Sequence, residues 1–255
     1  MSTRWDVEQY TRFQGPRLRP GLDLISRIPH PGPRMIVDVG CGTADLTAVL
    51  ASRWPQASVT GIDHSAEMVA VARAAHPTLA VDHADLRTWQ PPSPVDVLFS
   101  NAVLMWVPNH GEVMPALLGH LTPGGVLAIQ MSDNFQSPAH RAIGGTLDAL
   151  GLSDRVTPLG EPVASTDVYC RMLAPYAAAL DIWQTTYWHP LTGTDPVVEW
   201  LKGTALRPVL QGLQAADRMR FLDRYRQVVA TAYPREPDGT TWFPFRRLFL
   251  VVTKA

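Results

Sequence analysis

A glycine-rich stretch, VDVGCGTAD at residues 37–45, carries the residue types that point to chemistry in this chain. Gly40 and Gly42 allow a tight turn, and they let a ligand pass close to the backbone because neither has a Cβ atom. Asp63 lies 21 residues beyond Gly42, near the spacing of about 20 residues at which an acidic side chain binds ribose hydroxyls in nucleotide-binding folds. The spacing predicts a nucleoside site, although the glycines by themselves also fit an ordinary turn between a strand and a helix.

Asp45 distinguishes this stretch from a dinucleotide-binding turn. A dinucleotide enzyme places a third glycine or alanine at this position, so that the start of the helix can bind a pyrophosphate. A carboxylate there repels a pyrophosphate, which disfavours NAD and FAD and favours a cofactor without phosphate. The amino-acid part of S-adenosylmethionine carries an ammonium group, which suits the acidic neighbourhood of Asp38 and Asp45. These residues therefore favour a cofactor without phosphate, such as S-adenosylmethionine, whose product after methyl transfer is S-adenosylhomocysteine.

The elements that must position these residues follow from the apolar pattern between about residues 34 and 132. Short β-branched apolar runs alternate there with amphipathic stretches, as in βαβ units around a parallel sheet. The predicted strands cover 35–40, 58–63, 79–81, 95–100 and 125–131. The predicted helices cover 45–54, 111–120 and a stretch that Ser65 caps and that ends before Pro77. The fold class is thus α/β, with a Rossmann-like doubly wound sheet.

The rest of the chain is predicted to add a mostly helical cap and two late strands. The helical stretches are 1–30, 137–175 and 195–235. Apolar and polar residues alternate along 180–189, which predicts a strand, and the apolar stretch 246–254 predicts a second, buried strand. The two strands are expected to return to the edge of the sheet as an antiparallel pair. The predicted domain division is an N-terminal helical cap segment at 1–30, a cofactor-binding Rossmann-like core at 31–134, and helical cap insertions with the last strands at 135–255.

The composition limits the partners that this chain can have. Its formal net charge of -1 offers no long-range attraction to nucleic acid or to an anionic membrane. Its two cysteines, Cys41 and Cys170, argue against a disulfide framework. No apolar run approaches the roughly 18 residues of a spanning helix, and no Cys/His spacing indicates a metal site. We therefore predict a cytoplasmic monomer that binds a small molecule, with no nucleic-acid, membrane or metal partner.

The order of the segments resembles the motif series of class I methyltransferases. The likeness spans about residues 35–130 and is carried by VDVGCG, GID, HADL, DVLFSNAVLMW and LTPGG. The cofactor-binding residues that it implies are Asp38, Gly40, Cys41, Gly42, Asp63, His64, Met68, Asp85, Leu86 and Asn101.

The same resemblance implies where these residues lie along the cofactor. The implied order is Asp38, Gly40 and Gly42 at the methionine moiety, Asn101 on the sulfonium side, Asp63 at the ribose, Met68 over the adenine and Asp85 at its amino group. Ala44 departs from the third glycine that is usual in the family, which leaves less room there. Cys41 is expected to be a small turn residue rather than a nucleophile, because no base-bearing partner is evident.

The flanks carry a narrower resemblance. The segments WDVEQYTRF, RLRP, QMSDNFQSPAH, DIWQTTYWH, TALRPVLQ and RRLFLVV are similar to those of trans-aconitate 2-methyltransferases, and this likeness covers nearly the whole chain. It implies methyl transfer to a carboxylate of a small polycarboxylic acid, giving a monomethyl ester.

Methyl transfer to a carboxylate makes modest chemical demands on the protein. A carboxylate with a pKa near ~4 is already ionised, so the reaction requires neither a general base nor a metal. Holding the nucleophile and the methyl group in line can supply roughly 7–11 kcal/mol of the barrier. We therefore predict no catalytic side chain. The predicted site instead needs arginines for the non-reacting carboxylates and aromatic walls that exclude water.

The candidate substrate-binding residues are arginines and aromatic side chains of the flanks and the fourth strand: Arg19, Arg207 and Arg247 for the carboxylates, and Tyr10, Trp106 and Tyr187 for the walls. Each arginine also fits an ordinary surface charge. Arg19 fits the cofactor's own carboxylate equally well. His140 and His189 fit structural histidines better than catalytic bases.

Two other functions stay open at this point. A methyltransferase acting on another small acid, a phenol or an enol has the same cofactor motifs. A non-catalytic module that binds the cofactor also has them, but it does not explain the arginines. Nucleic-acid methylation is disfavoured, because the fourth strand is followed by SNAVLMW and not by an N/D-P-P-aromatic tetrad.

Overall fold

The computed structural model describes residues 14–156 and 163–255 of the 255-residue chain. Its contacts divide the described residues into two units. The sheet unit comprises 17–132, 163–185 and 247–255, and the helical unit comprises 14–16, 133–156 and 186–246. The threefold division into 1–30, 31–134 and 135–255 stays a prediction about the order of segments along the chain.

The strands of the described residues form one seven-stranded sheet in the order β3-β2-β1-β4-β5-β7-β6. Their bounds are Met35–Val39 (β1), Ser58–Asp63 (β2), Ala80–His83 (β3), Val95–Asn101 (β4), Leu121–Ser132 (β5), Ala177–Leu191 (β6) and Thr241–Lys254 (β7). Strands β1 to β5 pair in parallel, and β7 pairs antiparallel to β5. This arrangement confirms the Rossmann-like doubly wound sheet, whose order reverses between β1 and β4.

The helices follow the periodic stretches of the sequence. Their bounds are Gln14–Ser26 (α1), Asp45–Arg53 (α2), Ala66–Ala75 (α3), His110–Gly119 (α4), Pro138–Ala149 (α5), Thr166–Leu173 (α6), Pro196–Lys202 (α7), Leu206–Gly212 (α8) and Ala215–Ala232 (α9). Ser65 caps α3 as predicted, because its Oγ accepts a hydrogen bond from the Met68 amide at 3.3 Å. No helix of the described ranges is both long and apolar enough to cross a membrane.

Strand β5 begins earlier than the sequence pattern predicts. The predicted start was residue 125, yet Leu121 already pairs with Val95. The register then shifts, so that Val97 pairs with Val126. The shift lets the Thr-Pro-Gly-Gly segment bulge within the strand, since a proline cannot donate to the ladder.

Each unit buries its own apolar residues. In the sheet unit the central strands are almost fully buried, with Ile36, Leu98 and Leu127 each 0% exposed. In the helical unit the core combines aliphatic side chains with an aromatic group, whose members are Trp200, Phe221, Tyr225, Tyr233, Phe243 and Phe245. The buried Tyr225 hydroxyl donates a hydrogen bond to the Ala139 carbonyl oxygen at 3.0 Å.

The packing around Gly61 yields a stability prediction. A Cβ atom at Gly61 would lie 2.8 Å from Cys41 Sγ and 2.9 Å from Cys41 Cβ. We expect Gly61→Ala to lower the free energy of unfolding by about 1–3 kcal/mol in urea titrations, because the overpacked strand cannot move away. The control is Gly144→Ala in helix α5, where a Cβ meets nothing within 4 Å; it should gain about 0.5–1 kcal/mol. A Gly61→Ala protein as stable as the wild type would contradict this packing.

Candidate functional site

The glycine-rich turn after β1 closes onto strand β2. The amides of Gly40 and Cys41 both donate to the Ile62 carbonyl oxygen, at 2.7 and 3.0 Å. Gly40 has a φ of +77°, and a Cβ there would lie 2.3 Å from Val103 Cγ2. Gly42 has a φ of +56°, and, apart from Gly42 and its two chain neighbours, no described residue has a heavy atom within 4 Å of the place where its Cβ would stand. The predicted open space beside the backbone is therefore present at Gly42, whereas at Gly40 the Val103 side chain fills it.

Asp63 at the end of β2 is buried, and its carboxylate is held by two backbone amides. Its Oδ2 accepts from the Gly42 amide at 2.9 Å, and its Oδ1 accepts from the Ser65 amide at 2.8 Å. A carboxylate has about four lone-pair positions, so both oxygens keep capacity for further donors. The neighbouring His64 is exposed, and its Nδ1 lies 3.5 Å from Asp63 Oδ1.

Asp38 lies on β1 just before the turn and is 2% exposed. Burial raises the pKa of its carboxyl to about 7; the hydrogen bond from Thr47 acts in the opposite direction. The Thr47 hydroxyl donates to Asp38 Oδ2 at 2.6 Å. Sequence reasoning missed Thr47, because its position on helix α2 gives no signal that it reaches the strand.

Cys41 has the character expected of a turn residue. Burial raises the pKa of its thiol, and the carboxylates of Asp38 and Asp63 raise it further. The thiol is therefore protonated at neutral pH, whereas a nucleophilic cysteine needs a lowered pKa.

The residues predicted for the adenine lie beyond β2 and β3. Met68 is buried on helix α3, and Leu86 is half-buried. Asp85 forms an ion pair with Arg87, whose Nε lies 3.0 Å from Oδ1 and whose Nη2 lies 2.5 Å from Oδ2. This hydrogen-bonded pair lowers the pKa of Asp85 to about 2. Arg87, which the sequence pattern does not single out, competes with an adenine amino group for the same oxygens.

The end of β4 presents Asn101 and, beyond it, a 3-10 turn at Leu104–Trp106. Asn101 Oδ1 is buried without a hydrogen-bond partner among the described residues. Trp106, a predicted wall, is 42% exposed.

A buried histidine, which sequence reasoning missed, fixes this 3-10 turn. His110 Nε2 lies 2.7 Å from the Leu104 carbonyl oxygen, and His110 Nδ1 lies 2.7 Å from the Tyr169 hydroxyl. Because a carbonyl only accepts, the ring donates to Leu104 through Nε2. Helix α6, which carries Tyr169, thereby helps to position the segment that follows β4.

The predicted substrate-binding residues divide between the units. In the sheet unit, Arg19 is exposed on α1, whereas Arg247 is 5% exposed and donates from Nη1 to Ser132 Oγ at 2.7 Å. Arg207 is half-buried on α8 of the helical unit, where Tyr187 on β6 is also buried. Tyr10 lies outside the described residues.

The histidines of the helical unit have structural surroundings. His189 packs 4.6 Å from Trp200 between ring centroids, within the aromatic core. Burial lowers the pKa of His140 to about 4, and its Nδ1 lies 2.9 Å from Ser137 Oγ. Both environments agree with the structural interpretation of these residues.

The residues at the carboxyl ends of β1, β2 and β4 fit the polar parts of S-adenosylmethionine. Asp63 retains acceptor capacity for a ribose diol, Gly42 leaves open backbone, and the unpartnered Asn101 Oδ1 calls for a donor. In the described ranges no three His, Cys, Asp or Glu side chains are grouped so that they could hold a metal ion.

Known proteins similar to this chain are methyltransferases or share their fold. A family model described as a methyltransferase domain matches residues 36–125. The trans-aconitate 2-methyltransferase of Azoarcus sp. (strain BH72) is 43% identical over 254 residues, which cover 98% of this chain and 99% of that protein. The protein of the same name from Streptomyces avermitilis is 44% identical over 261 residues, covering 98% and 97%. The solved YcgJ protein from Bacillus subtilis shares the fold, with a TM-score of 0.60 and 14% identity over 92% of this chain and 98% of that one.

The environment of Asp38 gives a prediction about pH. We expect its carboxyl to titrate near pH 7 in the cofactor-free protein, as followed by carbon NMR. Because its folded pKa is above its ordinary value near 4, its contribution to stability is present below pH 4 and is lost as the pH rises through 7. Thr47→Val should raise the pKa further, since it removes the donor to the carboxylate. A carboxyl at Asp38 that titrates below pH 5 would contradict the prediction.

Proposed function

Because the chain belongs to the trans-aconitate 2-methyltransferase family, we propose that it transfers a methyl group from S-adenosylmethionine to a carboxylate of trans-aconitate, giving a monomethyl ester. The observation that carries the acceptor assignment is the buried guanidinium of Arg247. It lies beside Ser132, the last residue of β5, at the same edge of the sheet as Asn101. A buried cation at this edge suits an anionic acceptor.

The cofactor half of the proposed site lies over β1 and β2. Asp63 binds the ribose hydroxyls through the lone pairs that the Gly42 and Ser65 amides leave available. Asp38, deprotonated in the bound state, attracts the ammonium of the methionine moiety. Asn101 lies on the sulfonium side of the cofactor, where its Oδ1 can accept a hydrogen bond. Asp85 contributes to adenine binding only if its carboxylate turns from Arg87.

The chemistry of the proposed reaction places few demands on side chains. S-adenosylmethionine supplies a methyl group on a sulfonium, which an ionised carboxylate oxygen can displace directly. The protein's contribution is to hold the two reactants in line and to exclude water. Cys41 stays protonated and His140 stays neutral, in keeping with a reaction that needs no base.

The other candidate residues enter the proposal as supports for the acceptor. Arg19 and Arg207 are proposed to bind non-reacting carboxylates, with Arg19 also suited to the carboxylate of the cofactor. Tyr10, Trp106 and Tyr187 are proposed as walls. The monomeric state and the cytoplasmic location stay predictions.

Asp63 allows a test of the cofactor half. We expect Asp63→Ala to weaken binding of S-adenosylhomocysteine about tenfold or more in calorimetry, because the ribose loses a buried bidentate acceptor. It should also cost about 1–3 kcal/mol of stability, since two backbone amides lose their partner. Asp82→Ala, on an exposed side chain of β3, is the control and should change neither. Unchanged affinity in a folded Asp63→Ala protein would remove Asp63 from the site.

Arg247 allows a test of the acceptor half. With labelled S-adenosylmethionine, trans-aconitate should be methylated far better than crotonate, and Arg247→Ala should lower kcat/KM for trans-aconitate more than tenfold. The reason is that removing one member of a buried charged pair costs about 2–5 kcal/mol.

The adjacent arginine supplies the matched control for this experiment. Arg246 is exposed and its Nε lies 2.8 Å from Asp133 Oδ2, so Arg246→Ala should keep kcat/KM within about twofold. Equal methylation of crotonate and trans-aconitate would contradict the acceptor assignment, as would an Arg247→Ala enzyme with wild-type kcat/KM.

A further inference from the structure

Gln130 on strand β5 is a buried amide that no part of the function described above uses. It is 1% exposed, and in the described part of the chain neither its Oε1 nor its Nε2 has a hydrogen-bond partner. An amide buried without partners destabilises a fold. An apolar side chain of the same length would fill this position without that cost, so the amide calls for a ligand.

The register of the sheet brings Gln130 to the site. Gln130 pairs with Asn101, the last residue of β4, and with Phe249 on β7. Partners in register point to the same face of a sheet, as do residues two apart along a strand. Gln130 therefore shares one face with Asn101 on one side and with Ser132 and Arg247 on the other.

The chemistry of this face selects an anion. Arg247 presents a buried guanidinium next to Ser132. The Gln130 amide adds an N–H donor two residues before Ser132 on the same strand. The acidic residues that suit the cofactor's ammonium and ribose lie instead on the other side of β4, at β1 and β2. A donor beside a cation suits a carboxylate of the acceptor.

We propose that the Gln130 side-chain amide donates a hydrogen bond from Nε2 to a carboxylate oxygen of the acceptor and, with Arg247, selects a polycarboxylate. This inference rests on the proposed function and adds a specificity-determining residue to it. Gln130 makes and breaks no covalent bond; it orients the carboxylate with respect to the methyl group.

If Gln130 has this role, replacing it should raise the stability of the protein and lower its activity, and the test measures both. Gln130→Met keeps the length of the side chain but removes both polar atoms. We expect its melting temperature to rise by roughly 2 °C or more, because a buried amide without protein partners is lost. In the same protein kcat/KM for trans-aconitate should fall at least tenfold, while the dissociation constant of S-adenosylhomocysteine stays within twofold.

A second variant and a control make the test specific. Gln130→Glu replaces the donor by a carboxylate, which pairs with Arg247 and repels the acceptor; we expect a larger loss of kcat/KM than in Gln130→Met. Thr146→Val in helix α5 removes another buried polar atom, a hydroxyl oxygen that has no partner among the described residues. This control should raise the melting temperature and leave kcat/KM unchanged.

A binding measurement separates this inference from the proposed function. Trans-aconitate is titrated by calorimetry into the complexes of wild-type and Gln130→Met protein with S-adenosylhomocysteine. Binding to the wild type that falls at least tenfold in the variant supports the inference. Equal binding and equal kcat/KM in the two proteins overturn the inference and leave the proposed function intact. A variant that loses only stability or only cofactor affinity overturns the inference in the same way. A wild-type protein that neither binds nor methylates trans-aconitate contradicts the proposed function and this inference with it.

Discussion

The carboxylate of Asp63 joins the two loops on which the proposed nucleoside site depends. It accepts one hydrogen bond from the turn that follows β1 and another from the start of helix α3. The group proposed to bind the ribose is therefore the group that holds the surrounding backbone. Folding depends on this carboxylate whether or not a ligand is present, because a buried backbone amide without a partner is costly.

The sheet distributes opposite charge along one edge. Carboxylates gather at the ends of β1 and β2, where Asp38 and Asp63 are both buried. On the far side of β4 lies the buried guanidinium of Arg247, on one face with the neutral Gln130 amide, while Asn101, proposed to bind the cofactor, lies between the two groups. A cationic methyl donor and an anionic acceptor are thus proposed to occupy opposite sides of the point where the strand order reverses, which is where open α/β sheets bind ligands.

This arrangement carries a cost in stability. A carboxyl with a raised pKa at Asp38 and an amide without protein partners at Gln130 are both unfavourable in the absence of ligands. Apolar burial along the central strands, where Leu98 and Leu127 are fully buried, opposes that cost. In the sheet unit, Asp38, Asp63, Gln130 and Arg247 are buried polar residues that lie at the proposed site, as is usual where binding competes with stability.

The sequence by itself determined the features that depend on neighbouring residues. The period of apolar residues located the parallel strands, and Ser65 marked the start of α3. The distance from the glycine turn singled out Asp63, whose carboxylate accepts a hydrogen bond from that turn. Tertiary structure decided what depends on register between distant segments. Gln130 belongs to the apolar run GVLAIQM, and only the pairing of β5 with β4 and β7 sets it beside Asn101 and on the face of Arg247. Side-chain orientation in a strand repeats every two residues, so which polar groups share a face is fixed by pairing across the sheet and has no local signal.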